Sequence, residues 1–200
     1  MQRRGCFNGF LIAFLSLVNI ARSQSKYVLD VTLNAEEETL TVSQTIEFIN
    51  TGNKELNTLY LYDWANSYQG APAPLANHLA NEFNRSFYIS SNNKLGYTQI
   101  DDLKSISISN WSRLADQLDI IKIDLIKKLG VGESVEIQLE YLIKIPDDKF
   151  TGIGINSSKG IILRDLFIFM APRYNGEWLL NSNLGFRDYS NLPSSYEFKW

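Results

Sequence analysis

The chain has 200 residues, 44% of them hydrophobic and 20% charged, and its formal net charge at neutral pH is −3. This length is enough for one sizeable domain with its own core. The acidic balance disfavours a nucleic-acid partner.

The amino terminus has the features of a secretory signal. An arginine pair at residues 3–4 precedes an uncharged apolar run over residues 10–20, and small residues stand just before Gln24. Such a run is too short to span a bilayer as a mature helix, and the small residues suit cleavage before Gln24. Twin-arginine leaders also begin with paired arginines, but the residues that follow fit that pattern poorly. We therefore predict an ordinary signal peptide over residues 1–23 and an exported protein.

Loss of this leader changes the charge and the cysteine content of the chain that folds. Residues 24–200 keep 16 of the 19 basic residues and all 22 acidic ones, which gives a net charge of −6. The single cysteine, Cys6, is removed with the leader, so core burial and not a disulfide must stabilise the mature chain. No later segment has the character of a transmembrane helix. The final location, periplasmic, outer-membrane associated or secreted, stays open.

Alternation of apolar and polar residues dominates the mature chain. It is clearest over residues 40–48, where leucine, valine, isoleucine and phenylalanine interleave with threonine, serine and glutamate, as in a half-buried strand. The same pattern over residues 27–33 predicts an opening hairpin with it. Residues 135–145, entered through glycines and closed by a proline, predict a long antiparallel strand. Further strands are predicted over residues 56–62, 87–90, 100–109, 118–125, 160–170 and 196–200.

One stretch departs from this pattern and predicts a helix. Leu75, Leu79 and Phe83 recur at helical spacing, which indicates a single short helix near residues 74–85. Eight or nine strands with so little helix are typical of two packed antiparallel sheets. The predicted fold class is therefore all-β, an antiparallel β-sandwich or saddle with one short helix, in a single domain over residues 24–200.

The residues that could carry out catalysis are few. His78 is the only histidine and stands four residues before Glu82, so the two side chains can share a helix face. Two ligands do not make a zinc site, and a partly exposed helix residue with a local partner is the favoured interpretation of His78. The chain has no H-E-x-x-H motif, no glycine-rich phosphate loop and no cysteine nucleophile after the leader. We predict no catalytic, cofactor-binding or metal-binding residue.

Two further groups of residues have both a structural and a functional interpretation. Aspartate pairs at residues 101–102 and 147–148 are predicted to occupy turns, with weak calcium binding as the alternative. The aromatic residues within 60–68 are predicted to pack against a sheet. Their alternative role is a carbohydrate platform, with Trp64 and Tyr68 as the candidate anchors.

Several segments, taken in order, resemble a known family. The longest are Tyr-Leu-Tyr-Asp-Trp-Ala-Asn-Ser-Tyr at residues 60–68 and Pro-Leu-Ala-Asn-His-Leu-Ala-Asn-Glu-Phe-Asn-Arg-Ser-Phe at residues 74–87. Shorter runs are Leu-Gly-Tyr-Thr at 95–98, Lys-Phe-Thr-Gly-Ile-Gly at 149–154, Leu-Arg-Asp at 163–165, Ala-Pro at 171–172, Gly-Glu-Trp at 176–178 and Asn-Ser-Asn-Leu at 181–184. Together they are similar to the amino-terminal domain of aminopeptidase N-like zinc metallopeptidases, or gluzincins, in the form found in the Bacteroidetes. The resemblance extends over essentially all of the mature chain.

The resemblance implies a β-sandwich or saddle that packs against a thermolysin-like catalytic domain and helps to form the wall of its substrate cleft. In that family the next domain binds zinc through an H-E-x-x-H helix and a downstream glutamate, and the motif glutamate is the general base. None of these residues occurs here, so the zinc, the peptide substrate and the partner catalytic domain are expected in a parent protein. The chain is expected to be inactive alone and to end at Trp200, part-way through a strand.

One departure from the family pattern concerns the substrate-facing surface. Relatives carry Trp and Tyr just before the Ala-Pro step, where this chain has Leu-Phe-Ile-Phe-Met at residues 166–170. No residue here matches those with which the family holds the substrate amino terminus, so no substrate-binding residue is predicted. Two hypotheses follow: a non-catalytic domain of an exported metallopeptidase, and a free-standing secreted β-sandwich that binds sugar or protein. Peptide hydrolysis by residues 24–200 alone is not expected.

Overall fold

The larger of two main sheets has five strands. The structure is a computed structural model that describes residues 24–185 and 194–200, so the predicted leader and Cys6 lie outside the described residues. The strands of this sheet are β1 (Ser25–Asn34), β2 (Thr39–Ile49), β4 (Tyr97–Lys104), β7 (Ser134–Lys144) and β13 (Ser194–Lys199). They lie in the order β13-β1-β2-β7-β4, and every pair is antiparallel except β1 and β13.

The smaller sheet packs against the larger one and is antiparallel. Its strands are β3 (Leu56–Tyr62), β5 (Ile108–Leu114), β6 (Gln117–Leu129) and β10 (Phe169–Met170), in the order β10-β3-β6-β5. Two short hairpins pair β8 (Gly154–Ile155) with β9 (Ile161–Ile162) and β11 (Arg173–Tyr174) with β12 (Glu177–Trp178). The helices are α1 (Pro74–Asn81) and α2 (Ser86–Ile89), and 3-10 turns span Trp64–Tyr68 and Asn92–Lys94.

The core lies between the two sheets, as the alternating pattern predicts. On β2, Leu40, Val42, Ile46 and Phe48 are fully buried, and they meet Leu59, Leu61, Ile121 and Ile123 of the smaller sheet in one hydrophobic cluster. Burial of each such side chain stabilises the fold by about 1.5–3 kcal/mol. The all-β sandwich, the opening β1–β2 hairpin and the long strand β7 are therefore confirmed.

A buried polar residue on the core face of β2 explains one wrong prediction. Gln44 donates a hydrogen bond from Nε2 to the carbonyl of Ile168 at 2.7 Å and accepts one at Oε1 from Tyr141 at 2.6 Å. The N–H of Met170 donates to the Tyr27 hydroxyl at 3.1 Å. Core side chains thus provide hydrogen-bond partners for backbone groups near residue 168. The strand predicted over residues 160–170 is accordingly reduced to the two-residue strands β9 and β10.

The helical region also differs from the prediction. The helix predicted over residues 74–85 ends at Asn81, because Phe83 adopts a left-handed backbone with φ of 64°. The strand predicted over residues 87–90 is wrong, since this segment forms the helical turn α2. That turn directs Phe87 inward, where its ring stacks on Phe150 with centroids 4.1 Å apart.

The segment predicted as one strand over residues 100–109 is two strands of different sheets. β4 ends at Lys104 and β5 begins at Ile108, and Ile106 between them is 99% exposed. Asp101 and Asp102 lie within β4, beside a shift in its register with β7, so the prediction that they occupy a turn is wrong.

Candidate functional site

Four of the eight segments that carry the family resemblance meet in one cluster of polar side chains, although they are far apart in sequence. The cluster joins the 3-10 turn after β3, the beginnings of β4 and β6, the end of β5, the loop before β8 and residues 181–185. We call it the polar junction, and its members are Asp63, Asn66, Ser67, Tyr68, Thr98, Arg113, Asp119, Thr151, Ser182 and Asn183.

Asp63 is the buried charge at the centre of the polar junction. Its Oδ2 lies 2.6 Å from Nη1 of Arg113, and its Oδ1 accepts a hydrogen bond from the Thr98 hydroxyl at 2.7 Å. Burial raises the pKa of Asp63 above its ordinary value of 3.8, while Arg113 and Thr98 act in the opposite direction. Because Asp63 follows β3 and Thr98 lies in β4, these contacts connect the two sheets.

Asp119, at the start of β6, binds the chain segment that follows β12. Its Oδ1 accepts a hydrogen bond from the Ser182 hydroxyl at 2.9 Å, and its Oδ2 accepts one from the Asn183 N–H at 2.7 Å. Burial is the main cause that raises the pKa of Asp119 above its ordinary value. Both carboxylate oxygens of Asp119 therefore accept hydrogen bonds, whereas at Asp63 the Oδ1 atom accepts one and the Oδ2 atom is held by the ion pair with Arg113.

Two asparagine side chains complete the polar junction. Asn66 donates to the carbonyl of Leu118 at 2.7 Å and accepts from the N–H of Thr98 at 3.2 Å. Asn183 donates to the Ser67 hydroxyl at 2.9 Å. An amide side chain that bridges two backbone segments in this way fixes their separation without a charge.

A small cleft of about 220 Å³ lies beside the polar junction. The Tyr68 hydroxyl hydrogen-bonds the Thr151 hydroxyl at 2.7 Å at its edge. Its lining also includes Gly152, Ile153 and Arg164. Arg164 is paired with the neighbouring Asp165 at 3.0 Å, so the cleft presents both signs of charge.

One glycine of the Phe-Thr-Gly-Ile-Gly segment is required by a close backbone approach. Gly154 has a φ of 124°, and a Cβ added there would overlap the carbonyl of Pro146. No side chain fits in this space, so only glycine is compatible with the backbone at this position. The same loop begins at Asp147, which forms an ion pair with Lys94 at 3.0 Å. The predicted turn at Asp148 is confirmed.

The single histidine, His78, lies on the first helix beside Glu82. His78 is partly exposed on α1, with its Nε2 3.7 Å from Oε1 of Glu82, as the structural interpretation predicts.

Within residues 24–185 and 194–200, no group of three or more His, Cys, Asp or Glu side chains is placed to hold a metal ion. Over the same residues, no helix has the length and apolar character to span a membrane.

The aromatic residues between positions 60 and 68 are part of the packed interior. Trp64 is 3% exposed and Tyr68 is 1% exposed, so the hypothesis that they are surface anchors for a ligand is wrong. The ring of Trp64 stacks on Tyr62 at 5.1 Å and meets Phe169 edge-on at 5.2 Å. The interpretation that these rings pack against the sheet is confirmed.

Sequence reasoning did not identify the polar junction as a unit. Asp63, Asn66 and Asn183 lie in the segments that resemble the family, whereas Arg113 and Asp119 lie outside them and have no distinguishing sequence pattern. An aspartate that directly follows an apolar strand was the available signal, because a buried carboxylate requires a partner. The identity of that partner depends on the packing of the sheets.

Comparisons with known proteins give a partial structural likeness. No protein-family model matches the chain, and no curated protein matches it. An M1 zinc metallopeptidase from Deinococcus radiodurans is 14% identical with a TM-score of 0.38, over 62% of this chain and 20% of that chain. A mutant of a two-domain M1 zinc metallopeptidase bound to L-arginine gives the same four values. A Deinococcus radiodurans mutant bound to a Tyr-Ser-Ala substrate is 13% identical with the same TM-score and coverage. The matched region is a fifth of each of these chains, and this likeness assigns no activity to the present chain.

Proposed function

We propose that this chain is the non-catalytic amino-terminal β domain of an exported zinc metallopeptidase of the aminopeptidase type. In this proposal the chain supports a catalytic domain and helps to form the wall of its substrate cleft. The zinc ion and the residues that bind it belong to that catalytic domain, which is the chain's main partner. Peptides are the substrate of the parent protein.

The observation that carries the proposal is the convergence of four of the resembling segments, residues 60–68, 95–98, 149–154 and 181–184, on the polar junction. Residues up to 119 positions apart in sequence, such as Trp64 and Asn183, meet through hydrogen bonds. Their meeting around Asp63 and Asp119 supports the interpretation that they are one inherited structural unit.

The polar junction favours a supporting role over a chemical one. Its two buried carboxylates are engaged by hydrogen bonds from Thr98, Ser182 and Asn183 and by the ion pair with Arg113, which favours a structural role for them over that of a general base. Such a network holds several segments in one arrangement. A rigid wall for a neighbouring cleft requires this property.

The reading frame of the gene beyond Trp200 tests the proposal. We expect an in-frame H-E-x-x-H motif with a glutamate further downstream, and zinc-dependent aminopeptidase activity in the encoded protein. A stop codon directly after Trp200, with no such motif in frame, would contradict the proposal. Activity of the parent that survives replacement of the motif glutamate would contradict the assigned chemistry.

Export is a separate part of the proposal, supported by the composition of residues 1–23. Expression of the full chain with its own leader, followed by amino-terminal sequencing of the extracytoplasmic fraction, tests it. We expect a mature protein that begins at Gln24. Retention of the whole chain in the cytoplasm with an intact leader would contradict export.

A further inference from the structure

The cleft of about 220 Å³ beside the polar junction is built from four separate parts of the chain. These are the 3-10 turn after β3, the loop before β8, β9 with the residues that follow it, and the segment after β12. All of its described lining residues lie between positions 64 and 185, and none of them belongs to β13. The cleft is therefore a product of how remote segments pack, as the polar junction is.

Arg164 and Asp165 bring opposite charges to this cleft. Their side chains are 42% and 35% exposed, and Nε of Arg164 lies 3.0 Å from Oδ2 of Asp165. A guanidinium has about five donors and a carboxylate accepts about four hydrogen bonds, so this single contact leaves both groups with capacity for a ligand. The cleft thus presents a cationic donor and an anionic acceptor side by side.

The backbone at Asp165 is strained. Its φ of 54° lies in the left-handed region, which is unfavourable for residues other than glycine and which recurs at ligand-binding sites. The exposed ion pair with the adjacent Arg164 offers little stability in return, because such surface pairs contribute little to folding. Placement of a carboxylate at the cleft explains this strained residue better than stabilisation of the fold does.

The uncharged part of the cleft includes an aliphatic surface. Ile153 is half-buried, and Ile162 is 50% exposed. A Cβ added at Gly152 would meet no atom within 4 Å, so the backbone between these side chains and the polar junction borders open space. A ligand that fits the cleft would therefore carry two charges and an aliphatic group.

We propose that the cleft binds a free aliphatic α-amino acid such as leucine. Its carboxylate would pair with Arg164 and its ammonium group with Asp165, while its side chain would contact Ile162. An α-amino acid carries its two charges on neighbouring groups, which complements two neighbouring side chains of opposite sign. The cleft is smaller than the about 300–1,000 Å³ typical of pockets for larger ligands, which favours a single amino acid over a peptide.

This binding goes beyond the proposed function and does not depend on it. Free amino acids are the class of product that an aminopeptidase releases, so a parent enzyme would supply the ligand. The cleft itself is formed by the present chain alone. A negative result here would leave the reading-frame test of the proposed function unaffected.

Isothermal titration calorimetry with L-leucine on the whole chain tests the proposal. L-leucinamide lacks the carboxylate and 4-methylpentanoate lacks the ammonium group, so each removes one of the two charge contacts. We expect saturable binding of leucine and at least about tenfold weaker binding of either analogue. No binding of leucine up to its solubility limit, or equal binding of leucine and leucinamide, would overturn the proposal.

Asp165→Gly separates binding from stability. Glycine removes the carboxylate and also relieves the left-handed backbone, so leucine should bind at least about tenfold more weakly while the thermal midpoint stays nearly unchanged. Asn175→Gly is the matched control, because Asn175 has a φ of 52° in the β11–β12 turn outside the cleft. It should leave the affinity for leucine unaltered.

Arg164→Gln decides the outcome even if Asp165→Gly unfolds the chain. This substitution keeps the backbone conformation and removes the positive charge, so the variant should lose the discrimination between leucine and leucinamide. Unaltered discrimination by this variant would overturn the proposal. Unaltered affinity of Asp165→Gly for leucine would overturn it too.

Discussion

Asp119 shows how one buried carboxylate can hold a distant segment. It is fully buried, and removal of a carboxylate from water is unfavourable unless donors replace the lost hydration. The Ser182 hydroxyl and the Asn183 N–H supply those donors. The chain after β12 is thereby bound to the start of β6 without any strand pairing.

Substitution of Asp119 tests this interpretation. Asp119→Ala leaves the Ser182 hydroxyl and the Asn183 N–H buried without an acceptor, so the free energy of unfolding should fall by about 1–3 kcal/mol. Urea denaturation followed by tryptophan fluorescence measures it. Asp116→Ala, in the exposed turn between β5 and β6, is the matched control. Equal effects of the two substitutions would contradict a specific role for Asp119.

Glu38 gives a prediction of pH dependence. A hydrogen bond from Lys144 at 2.9 Å is the main cause that lowers the pKa of Glu38 below its ordinary value of 4.5. A carboxyl with a lowered folded-state pKa stabilises the fold above its unfolded pKa, and this stabilisation is lost as pH falls through the folded value. Glu38→Gln should therefore cost about 0.5–1 kcal/mol at neutral pH.

The same substitution should cost progressively less as pH falls below 4.5, because the unfolded chain then takes up the proton first. The difference should vanish once the pH is below the lowered folded-state pKa, where the unaltered Glu38 is protonated too. Denaturation curves of both proteins between neutral and acidic pH measure this convergence. Glu36→Gln, in the same turn, is the control and should show no comparable difference. A cost that stays constant down to the most acidic pH would contradict the ion-pair explanation.

At the scale of elements, the backbone of residues 166–170 is held by hydrogen bonds from core side chains, and only two of these residues pair with a neighbouring strand. Gln44 and Tyr141 from the larger sheet contact the backbone at Ile168, and Tyr27 contacts it at Met170. β10 is only two residues long, yet it lies at the edge of the smaller sheet beside β3. Polar groups in the core thus determine where the second sheet ends.

Tyr27→Phe tests this arrangement with the loss of one oxygen atom. The Met170 N–H loses its acceptor, so its amide hydrogen should exchange faster and the free energy of unfolding should fall by about 1–3 kcal/mol. The ring that stacks on Tyr196 is retained, which separates the hydrogen bond from the packing. Tyr97→Phe, on the half-exposed face of β4, should change neither quantity. Unaltered exchange at Met170 would show that the hydroxyl does not hold β10.

At the scale of the whole molecule, the ion pair of Asp63 and Arg113 connects the two sheets through its hydrogen bonds with Thr98. Asp63 follows β3 and Arg113 lies in β5 of the smaller sheet, while Thr98 comes from β4 of the larger sheet. Arg113 also donates to the carbonyl of Leu118 at 2.8 Å. Loss of one member of a buried ion pair leaves the other charge without compensation.

Arg113→Met should therefore lower the free energy of unfolding by about 3–5 kcal/mol. The double variant Asp63→Asn with Arg113→Met should be more stable than the sum of the two single effects predicts, because neither charge is then left alone. Guanidinium denaturation of the four proteins in this cycle measures the coupling. Additive effects would contradict a direct interaction between the two side chains.

The sequence alone determined most of the fold of this protein. Period-two alternation specifies a strand that is buried on one face, and it located β1, β2, β3 and β7 because these strands contact the core on one side only. It failed over residues 87–90 and 160–170, where short apolar runs are compatible with helix, loop or strand. There the choice depends on partners elsewhere in the chain, such as Phe150 and Gln44.

The polar junction was decided by tertiary structure. Sequence supplied its residue types, including the aspartate that directly follows β3. It could not supply the contacts of Asp63 with Arg113 or of Asp119 with Asn183, because those contacts exist only after two sheets have packed and remote segments have met. Local pattern reports which face of a strand is buried, whereas the identity of a buried charge's partner is a property of the assembled core.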